Sequence, residues 1–257
     1  MKIMGENAKV IALAGKGGVG KTSLSAAIVR VLTEQKPDAK ILAIDADPAV
    51  GLSTALGVTV GETLDDIRLR VAADVTGKLN KTEDILAEAK YRLFDAMQET
   101  NGFAFLAIGR PEAEGCYCAI NSYLRNVIEL LVKDFDYVVI DGEAGIEQIN
   151  RRVMDRVNNL ILVSDQSKKG LSIISTIKDV SDKMMMCDEV GCIINRAMDP
   201  GRIDFSDING APVLAIIEQD RNLLKMDMDG ASIFELDGNT ALIQGAASAL
   251  DKLGILK

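Results

Sequence analysis

A glycine-rich turn near the amino terminus constrains the fold of this chain more than any other segment. Residues 15–23 read GKGGVGKTS; they follow the apolar run KVIALA at 9–14 and precede a segment, 22 to about 34, whose apolar residues recur with the helical period. A strand, a tight turn and a helix in this order place the turn at the amino end of the helix, where backbone N–H groups and the helix dipole attract anions. The sequence therefore predicts a phosphate-binding loop.

Four residues of the turn match the pattern G-x-x-x-x-G-K-[ST], namely Gly15, Gly20, Lys21 and Thr22. Glycine permits the backbone conformations that turn successive N–H groups toward a bound phosphate. We expect Lys21 to reach the β- and γ-phosphates of a nucleotide and the Thr22 hydroxyl to complete the shell of a bound Mg²⁺. The predicted ligand is ATP or ADP with Mg²⁺. The residues expected to contact it from this loop are Gly15, Gly17, Gly18, Val19, Gly20, Lys21, Thr22 and Ser23.

Short apolar runs alternate with helical-period segments along the rest of the chain. Such alternation is typical of an α/β fold with a mostly parallel sheet flanked by helices on both faces, here a P-loop nucleoside triphosphatase. We expect a single domain over residues 1–257, with residues 60 to about 100 forming helical insertions. The predicted strands are residues 9–14, 40–44, 103–108, 136–140, 160–163, 190–194 and 212–216.

The overall composition argues against several classes of partner. The formal net charge is −9 and the isoelectric point is near 4.7. A surface that binds nucleic acid must neutralise many phosphates, so we expect no nucleic acid partner for this acidic chain. No apolar run approaches the ~20 residues that cross a bilayer and no signal segment opens the chain, so we expect a cytoplasmic protein without a membrane partner. Histidine is absent, which leaves carboxylates, lysines and cysteines for any chemistry.

Three aspartates follow two of the predicted strands. Asp45 and Asp47 come directly after residues 40–44, and Asp141 follows residues 136–140. Because parallel strands end at the same edge of a sheet, these carboxylates can face the loop lysines and a metal ion. Asp141 would hold Mg²⁺ through water, and a carboxylate is also the group left to orient an attacking water. A strand-end aspartate can equally cap the next helix, and this alternative stays open for each of them.

The variable part of the turn, in which Lys16 directly follows the first glycine, resembles the deviant Walker A motif of the superfamily of MinD, ParA and the nitrogenase iron protein. The resemblance implies a MinD-like fold in which Lys16 crosses a dimer interface and stabilises transition-state charge at the partner's nucleotide. It also implies that Asp45 and Asp47 belong to switch I, with Asp47 positioning the attacking water. Members usually carry asparagine where this chain has Ala49 and Gly51. The catalytic residues implied are Lys16, Lys21 and Asp47.

Two further segments resemble nucleotide-contacting parts of the same superfamily. Asp141 closes the run YVVID as a Walker B aspartate does, and the GEAGIE after it resembles switch II, in which Gly145 would turn its N–H toward the γ-phosphate. Asn195 ends the run GCIIN and is followed by Arg196. This pair resembles the superfamily position that reads adenine, and capping of the strand end is the alternative for Asn195.

Two cysteines, Cys116 and Cys118, lie just before a predicted helix that runs to about residue 133. A nearby helix amino end favours the thiolate, which is the form that binds metal. If two chains meet here about a two-fold axis, four thiolates converge, which suits nickel, zinc or a small iron–sulfur cluster. A pair of small, partly buried hydrophobic residues is the alternative. Cys187 and Cys192 lack this setting and are expected in the core.

The order of GKGGVGKT, IDADP, GCYC and the IIN strand resembles the CooC-type family of nickel-insertion ATPases. The resemblance implies a homodimer that forms on ATP or metal binding, Ni²⁺ or Zn²⁺ held by Cys116 and Cys118, and delivery to carbon monoxide dehydrogenase or acetyl-CoA synthase as client metalloenzyme. Two alternatives stay open. One is an iron–sulfur ATPase that donates electrons to a partner enzyme, and the other is a positioning ATPase like MinD or ParA.

Overall fold

The computed structural model describes residues 8–77, 91–100, 102–109, 118–142, 153–154, 156–184, 187–220, 223, 225 and 228–257. Within these ranges the strands are β1 (Lys9–Gly15), β2 (Ile41–Asp45), β3 (Gln98–Glu99), β4 (Ala104–Ala107), β5 (Tyr137–Asp141), β6 (Val157–Ser164), β7 (Cys187–Ala197) and β8 (Val213–Glu218). They form one sheet in the order β3-β4-β2-β5-β1-β6-β7-β8. Neighbouring strands are parallel except β3, which pairs antiparallel with β4.

Helices cover both faces of this sheet. They are α1 (Lys21–Gln35), α2 (Gly51–Leu56), α3 (Leu64–Gly77), α4 (91–96), α5 (Cys118–Val132), α6 (Lys168–Met184) and α7 (Ala241–Lys252). Apolar side chains of α1, α2 and α7 pack on one face, and those of α3, α4, α5 and α6 pack on the other. The predicted α/β class, with a mostly parallel sheet flanked by helices on both faces, is confirmed.

The central strand β1 is apolar from Val10 to Ala14 because both of its faces are buried. Val10, Ala12 and Ala14 point into the core on one face of the sheet, whereas Ile11 and Leu13 point into the core on the other. A strand that is buried on both faces leaves no position for a polar residue, so the period-2 alternation of a half-exposed strand is lost. The strand is therefore fixed at the centre of the molecule.

The path of the chain produces a crevice beside β1. From β1 the chain builds one side of the sheet with β2 and β4, inserts β5 between β2 and β1, and then continues on the other side of β1 with β6, β7 and β8. In open parallel sheets, ligands bind beyond the carboxyl ends of the strands where the direction of winding reverses. The carboxyl ends of β1, β5 and β6 are therefore the region in which a site is expected.

The predicted strands are all present, with shifted ends. Only Ala104–Ala107 of the predicted 103–108 is strand, and the predicted 190–194 is the middle of an 11-residue strand. The helical insertion predicted for 60 to about 100 is confirmed by α3 and α4 but is wrong at its end. Gln98–Glu99 are extended there and pair with β4 on the side away from β2, where the backbone groups of β4 would otherwise lack a sheet partner.

The two isolated cysteines differ in burial. Cys192 is fully buried, as predicted, and burial raises the pKa of its thiol to about 12. Cys187 packs against the core but stays partly exposed, and burial raises its pKa as well. Both therefore remain neutral thiols at neutral pH. Over the described ranges, no helix combines the length and apolar character that crossing a membrane requires.

Candidate functional site

The glycine-rich turn begins where β1 touches β6. Gly15 lies opposite Val163 in the parallel pairing and has φ 137°, a conformation that residues with a side chain rarely adopt. A Cβ atom at Gly15 would overlap the carbonyl oxygen of Val163. The backbone N–H of Lys16 donates to the same oxygen at 3.2 Å. Glycine at this position therefore lets the loop leave the sheet in close contact with β6.

The turn ends at the amino end of α1, and this helix start is suited to an anion. Gly20 is the N-cap residue with φ 85° and provides no capping side chain, and the first turn carries no acidic residue. The free N–H groups of such a helix end attract phosphate. The loop and helix start line a cleft of about 500 Å³. Its lining residues are Gly17, Gly18, Gly20, Lys21, Thr22, Asp47 and Arg196.

Lys21 is folded back over the loop that it follows. Its side chain is buried, and Nζ donates to the carbonyl oxygens of Gly15 at 3.3 Å and Lys16 at 3.2 Å. These are long hydrogen bonds for a charged donor. The ammonium group is thus held at the floor of the cleft by contacts that a phosphate oxygen can replace.

Lys16 is paired with an acidic residue of its own chain. Its Nζ donates to Asp165, which directly follows β6. Partial burial alone would raise the pKa of Asp165, but hydrogen bonds from Lys16 and Ser167 outweigh it and lower that pKa below its ordinary value. The ion pair is about 30% exposed on each side, so water weakens it.

Asp141 ends β5 beneath the loop and is fully buried. Its Oδ1 accepts a hydrogen bond of 2.8 Å from Ser25 of α1, whereas its Oδ2 has no hydrogen-bond partner within the described part of the chain. Burial raises the pKa of Asp141 to about 6, partly offset by the hydroxyls of Thr22 and Ser25. A buried carboxylate oxygen without a partner, beside a threonine hydroxyl, fits a magnesium ion held through water.

Asp45 lies next to Asp141 across the β2–β5 pairing but does not line the cleft. Its carboxylate accepts hydrogen bonds from the N–H of Leu52 at 2.9 Å and of Asp47 at 3.2 Å. Burial, followed by the negative charge of Asp141, raises the pKa of Asp45 to about 7. Its position ties the start of α2 to the sheet.

Asp47, the predicted water-orienting carboxylate, lines the cleft together with the loop glycines. Its Oδ1 accepts from the N–H of Ala49 at 2.9 Å, which fixes the turn that leads to α2. Val50 follows with φ 51°, a left-handed conformation that is rare for a β-branched residue. A Cβ at Gly51 would contact the Thr22 methyl group at 3.5 Å. The segment between β2 and α2 thus lies directly against the loop.

Asn195 and Arg196, near the carboxyl end of β7, contact the loop with their side chains. Asn195 Nδ2 donates to the carbonyl oxygen of Val19 at 2.7 Å, and Arg196 Nη1 donates to that of Gly18 at 3.0 Å. Asn195 is 1% exposed. A Cβ at Gly20 would lie 2.8 Å from Asn195 Nδ2, so this neighbour gives a second reason for glycine there.

Three predicted site residues lie wholly or partly outside the described part of the chain. Cys116 and Gly145 fall outside it, and Cys118 is described only as the first backbone position of α5. Their predicted roles stay predictions. Among the residues with described side chains, no three histidine, cysteine, aspartate or glutamate residues are grouped so that they could hold a metal ion.

Sequence reasoning missed three residues that the structure brings to the site, namely Ser25, Asp165 and Gln166. Ser25 belongs to no motif. Its sequence indicates only that it lies one turn after Lys21 on the same face of the helix, and this face contacts Asp141. Asp165 and Gln166 directly follow the apolar run LILVS. The strand-end rule that identified Asp141 applies equally to Asp165 and would have found it.

Comparison with protein families and curated proteins gives a consistent result. The family described as "AAA domain" matches residues 8–187. An uncharacterized ATP-binding protein of Methanocaldococcus jannaschii is 30% identical over 254 residues, covering 95% of this chain and 98% of that protein. The carbon monoxide dehydrogenase accessory protein CooC of Rhodospirillum rubrum is 28% identical, covering 88% and 89%. The septum site-determining protein MinD of Thermotoga maritima is 24% identical, covering 91% and 83%.

Solved structures give the same fold. MinD from Pyrococcus horikoshii, complexed with Mg-ADP, superposes with a TM-score of 0.71 at 24% identity, covering 98% of this chain and 99% of that one. A ParA family ATPase from Chlorobium tepidum superposes with a TM-score of 0.70 at 21% identity, covering 95% and 99%. At such identities the superpositions establish the architecture.

Proposed function

This chain belongs to the AAA-domain family, and from that premise we propose that it binds and hydrolyses ATP as a homodimer of the MinD and ParA type. The observation that carries the proposal is the buried Asp141 carboxylate beneath a glycine loop with a buried lysine. Its Oδ2 has no hydrogen-bond partner among the described residues, and the Thr22 hydroxyl interacts with the same carboxylate. The ATP-binding relative, which is similar along nearly the whole chain, supports it. CooC supports the finer proposal that hydrolysis drives delivery of a metal ion.

Binding begins with the phosphates. The loop N–H groups and the start of α1 provide donors, and Lys21 exchanges two carbonyl contacts for phosphate oxygens. The exchange is favourable because a hydrogen bond between two charged groups is stronger than one to a neutral carbonyl. Thr22 and Asp141 would hold the Mg²⁺ that accompanies the nucleotide, and this ion would neutralise charge on the β- and γ-phosphates.

Hydrolysis then requires a positioned water and charge stabilisation. Asp47, which lines the cleft, would accept a hydrogen bond from the attacking water and orient it in line with the leaving phosphate. Lys16 would leave Asp165 and reach the nucleotide of a second copy. There it would stabilise the transition-state charge, as an arginine finger does in other nucleoside triphosphatases. Closure of the dimer is thereby coupled to the presence of the triphosphate.

The cargo of the cycle is proposed to be a transition metal, with nickel favoured by the likeness to CooC. Cys116 and Cys118 of two copies would supply four thiolates, a set that also suits zinc. A ligand specific to the closed dimer must change its affinity when nucleotide alters dimer stability, so hydrolysis would release the ion. The client would be a carbon monoxide dehydrogenase or an acetyl-CoA synthase.

Metal content and oligomeric state test this proposal together. The wild-type chain is loaded with Ni²⁺ or Zn²⁺ under reducing, anaerobic conditions and passed through gel filtration with and without MgATP. We expect about one metal ion per dimer, lost in Cys116→Ser/Cys118→Ser and retained in the control Cys187→Ser. ATP hydrolysis should survive in both variants. Unchanged metal content in the double variant would contradict the cargo role and leave the ATPase.

A positioning ATPase is the second candidate, favoured by the MinD relative of Thermotoga maritima. Such a protein would bind a lipid or DNA surface in its ATP-bound state and carry no metal. Co-sedimentation with anionic liposomes or with DNA, in MgATP and in MgADP, separates this candidate from the first. ATP-dependent pelleting without bound metal would favour it, whereas a visible iron–sulfur chromophore would favour the electron-donating alternative.

A further inference from the structure

We infer that Asn195 and Arg196 are positioning residues that hold the phosphate loop in its binding conformation. The inference rests on the proposed binding of nucleotide at this loop. It assigns these residues a task at the phosphate end of the site, whereas their resemblance to the superfamily predicts that Asn195 reads the adenine base. The two roles make different demands on the side chains and can be separated.

The hydrogen bonds fix two successive peptide planes of the loop. Arg196 donates to the carbonyl of Gly18, and Asn195 donates to the carbonyl of Val19. In a trans peptide, the carbonyl of one residue and the N–H of the next point in opposite directions. Holding these two carbonyls on the outer side therefore directs the N–H groups of Val19 and Gly20 away from β7.

Asn195 has little polar surface left for a base. Its Nδ2 is bonded to Val19, its Oδ1 accepts from the backbone N–H of Arg196 at 2.9 Å, and the residue is 1% exposed. A base-reading amide must present a donor and an acceptor to the ligand at the same time. The contacts of Asn195 are instead those of a buried brace between β7 and the loop.

The backbone of β7 is distorted at the point where both side chains reach the loop. The pairing with β8 shifts register between Ile194 and Ala197, and Arg196 has φ 56°. A left-handed conformation is unfavourable for a residue with a side chain. Bulges near functional sites redirect side chains, and such strain persists where the surroundings enforce it. Here the distortion places two consecutive residues on two consecutive loop carbonyls.

The segment after the distortion is held from the other side. Gln166, which follows β6, accepts hydrogen bonds at its Oε1 from the N–H of Met198 at 2.9 Å and of Asp199 at 3.1 Å. This double contact ties the end of β7 to the end of β6. The backbone that carries Asn195 and Arg196 is therefore held by the neighbouring strand, and its position does not depend on the phosphate loop.

The test compares ligands with and without a base. Binding of MgATP, MgGTP and magnesium tripolyphosphate is measured by calorimetry on the wild-type chain, Asn195→Ala and Arg196→Asn. If the residues position the loop, affinity for all three ligands falls by the same factor, roughly threefold to tenfold for one lost hydrogen bond. A loss confined to MgATP, with tripolyphosphate unaffected, would mean base reading and would overturn the inference.

Arg196→Lys separates positioning from a direct charge contact with phosphate. Lysine keeps the positive charge but lacks the planar fork of arginine, so affinity should stay reduced; full restoration would overturn the role of Arg196. Arg196→Asn should fold normally, because asparagine tolerates the left-handed conformation. Arg202→Asn, which removes an exposed guanidinium paired with Asp199, is the matched control. A wild-type chain that binds neither MgATP nor tripolyphosphate would instead refute the proposed function itself.

Discussion

Two clefts at opposite ends of the parallel strands have similar sizes and different chemistry. The cleft at the carboxyl ends, about 500 Å³, is lined by glycine backbone, Lys21, Asp47 and Arg196. The cleft at the amino ends, about 410 Å³, is lined mainly by apolar groups that include Phe94, Phe103 and Phe135. Volume alone therefore does not distinguish them. What distinguishes the first is a set of backbone donors and charges directed at one small region.

The two ends also differ in how they affect stability. At the amino end, Phe103 stacks on Phe234 with ring centroids 5.9 Å apart. At the carboxyl end lie the buried carboxylates Asp45 and Asp141, both with raised pKa, and the left-handed Val50. Buried like charges and strained backbone oppose folding, and they persist at sites where function needs them. We therefore expect substitutions at the two ends to separate activity from stability.

Lys21→Ala should have the largest effect and should act on activity alone. Removing one preorganised cationic donor from a transition-state site lowers turnover by roughly 10²–10³-fold. The fold should be intact, because the described hydrogen bonds of Lys21 go to carbonyls of the loop itself. Steady-state phosphate release and thermal melting check both parts. Lys40→Ala, in the amino-end cleft, is the control; equal loss of turnover in both variants would remove the distinction between the clefts.

Phe103→Ala should show the converse pattern. The ring is 7% exposed and stacked on Phe234, so its removal should lower the free energy of unfolding by about 3 kcal/mol. Turnover per folded molecule should be unchanged well below the melting temperature. The measurements are urea unfolding, and phosphate release at about 20 °C below the wild-type melting midpoint. That margin is sufficient because 1 kcal/mol shifts the midpoint of a chain this long by only about 2–4 °C. A fall in turnover at full folding would show that the two ends are coupled.

Asp45→Asn tests the opposition to folding at the carboxyl end. The pKa of Asp45 is about 7 in the folded chain, against an ordinary value of 3.8, so the folded state holds its proton more tightly than the unfolded state. Stability from this group is complete below pH 3.8 and is lost as the pH rises through about 7. We expect the free energy of unfolding, measured without nucleotide, to fall between pH 5 and pH 7 in both chains. The fall should be roughly 1–2 kcal/mol smaller in Asp45→Asn than in wild type.

Asp66→Asn is the matched control for this pH dependence. A hydrogen bond from Thr63 lowers the pKa of Asp66, so its contribution to stability changes only at acidic pH. Denaturant unfolding at several pH values gives the free energy of unfolding as a function of pH. Between pH 5 and pH 7 its slope against pH should be the same for Asp66→Asn and wild type. Equal slopes for Asp45→Asn and wild type would show that Asp45 stays ionised in the folded chain.

The sequence predicted the parts of the site that depend on local order along the chain. The glycine loop, Lys21 and Asp141 each follow from a motif or from a strand end. The contact between Lys16 and Asp165 was not predictable in this way, because it depends on β1 lying beside β6. The direction of Asn195 depends on a register shift and a left-handed arginine. No local preference of arginine signals that conformation.

Asp165→Asn should have the smallest effect and bears on how the carboxyl end becomes active. Lys16 is bound by Asp165 within its own chain, so under the proposed dimer mechanism it must be released before it can reach a partner's nucleotide. An ion pair this exposed contributes ~0.2–1 kcal/mol, which corresponds to a roughly 1.5-fold to 5-fold tighter dimer in MgATP when the pair is removed. Sedimentation velocity with and without MgATP measures the change.

Two variants serve as controls for this prediction. Asp182→Asn, which breaks the exposed pair with Lys178, should leave dimerisation unaltered. Lys16→Ala should cancel the gain in dimer affinity. If Asp165→Asn dimerises like wild type, the internal ion pair does not compete with the partner's nucleotide for Lys16, and the difference between the two clefts lies in the phosphate loop and its carboxylates alone.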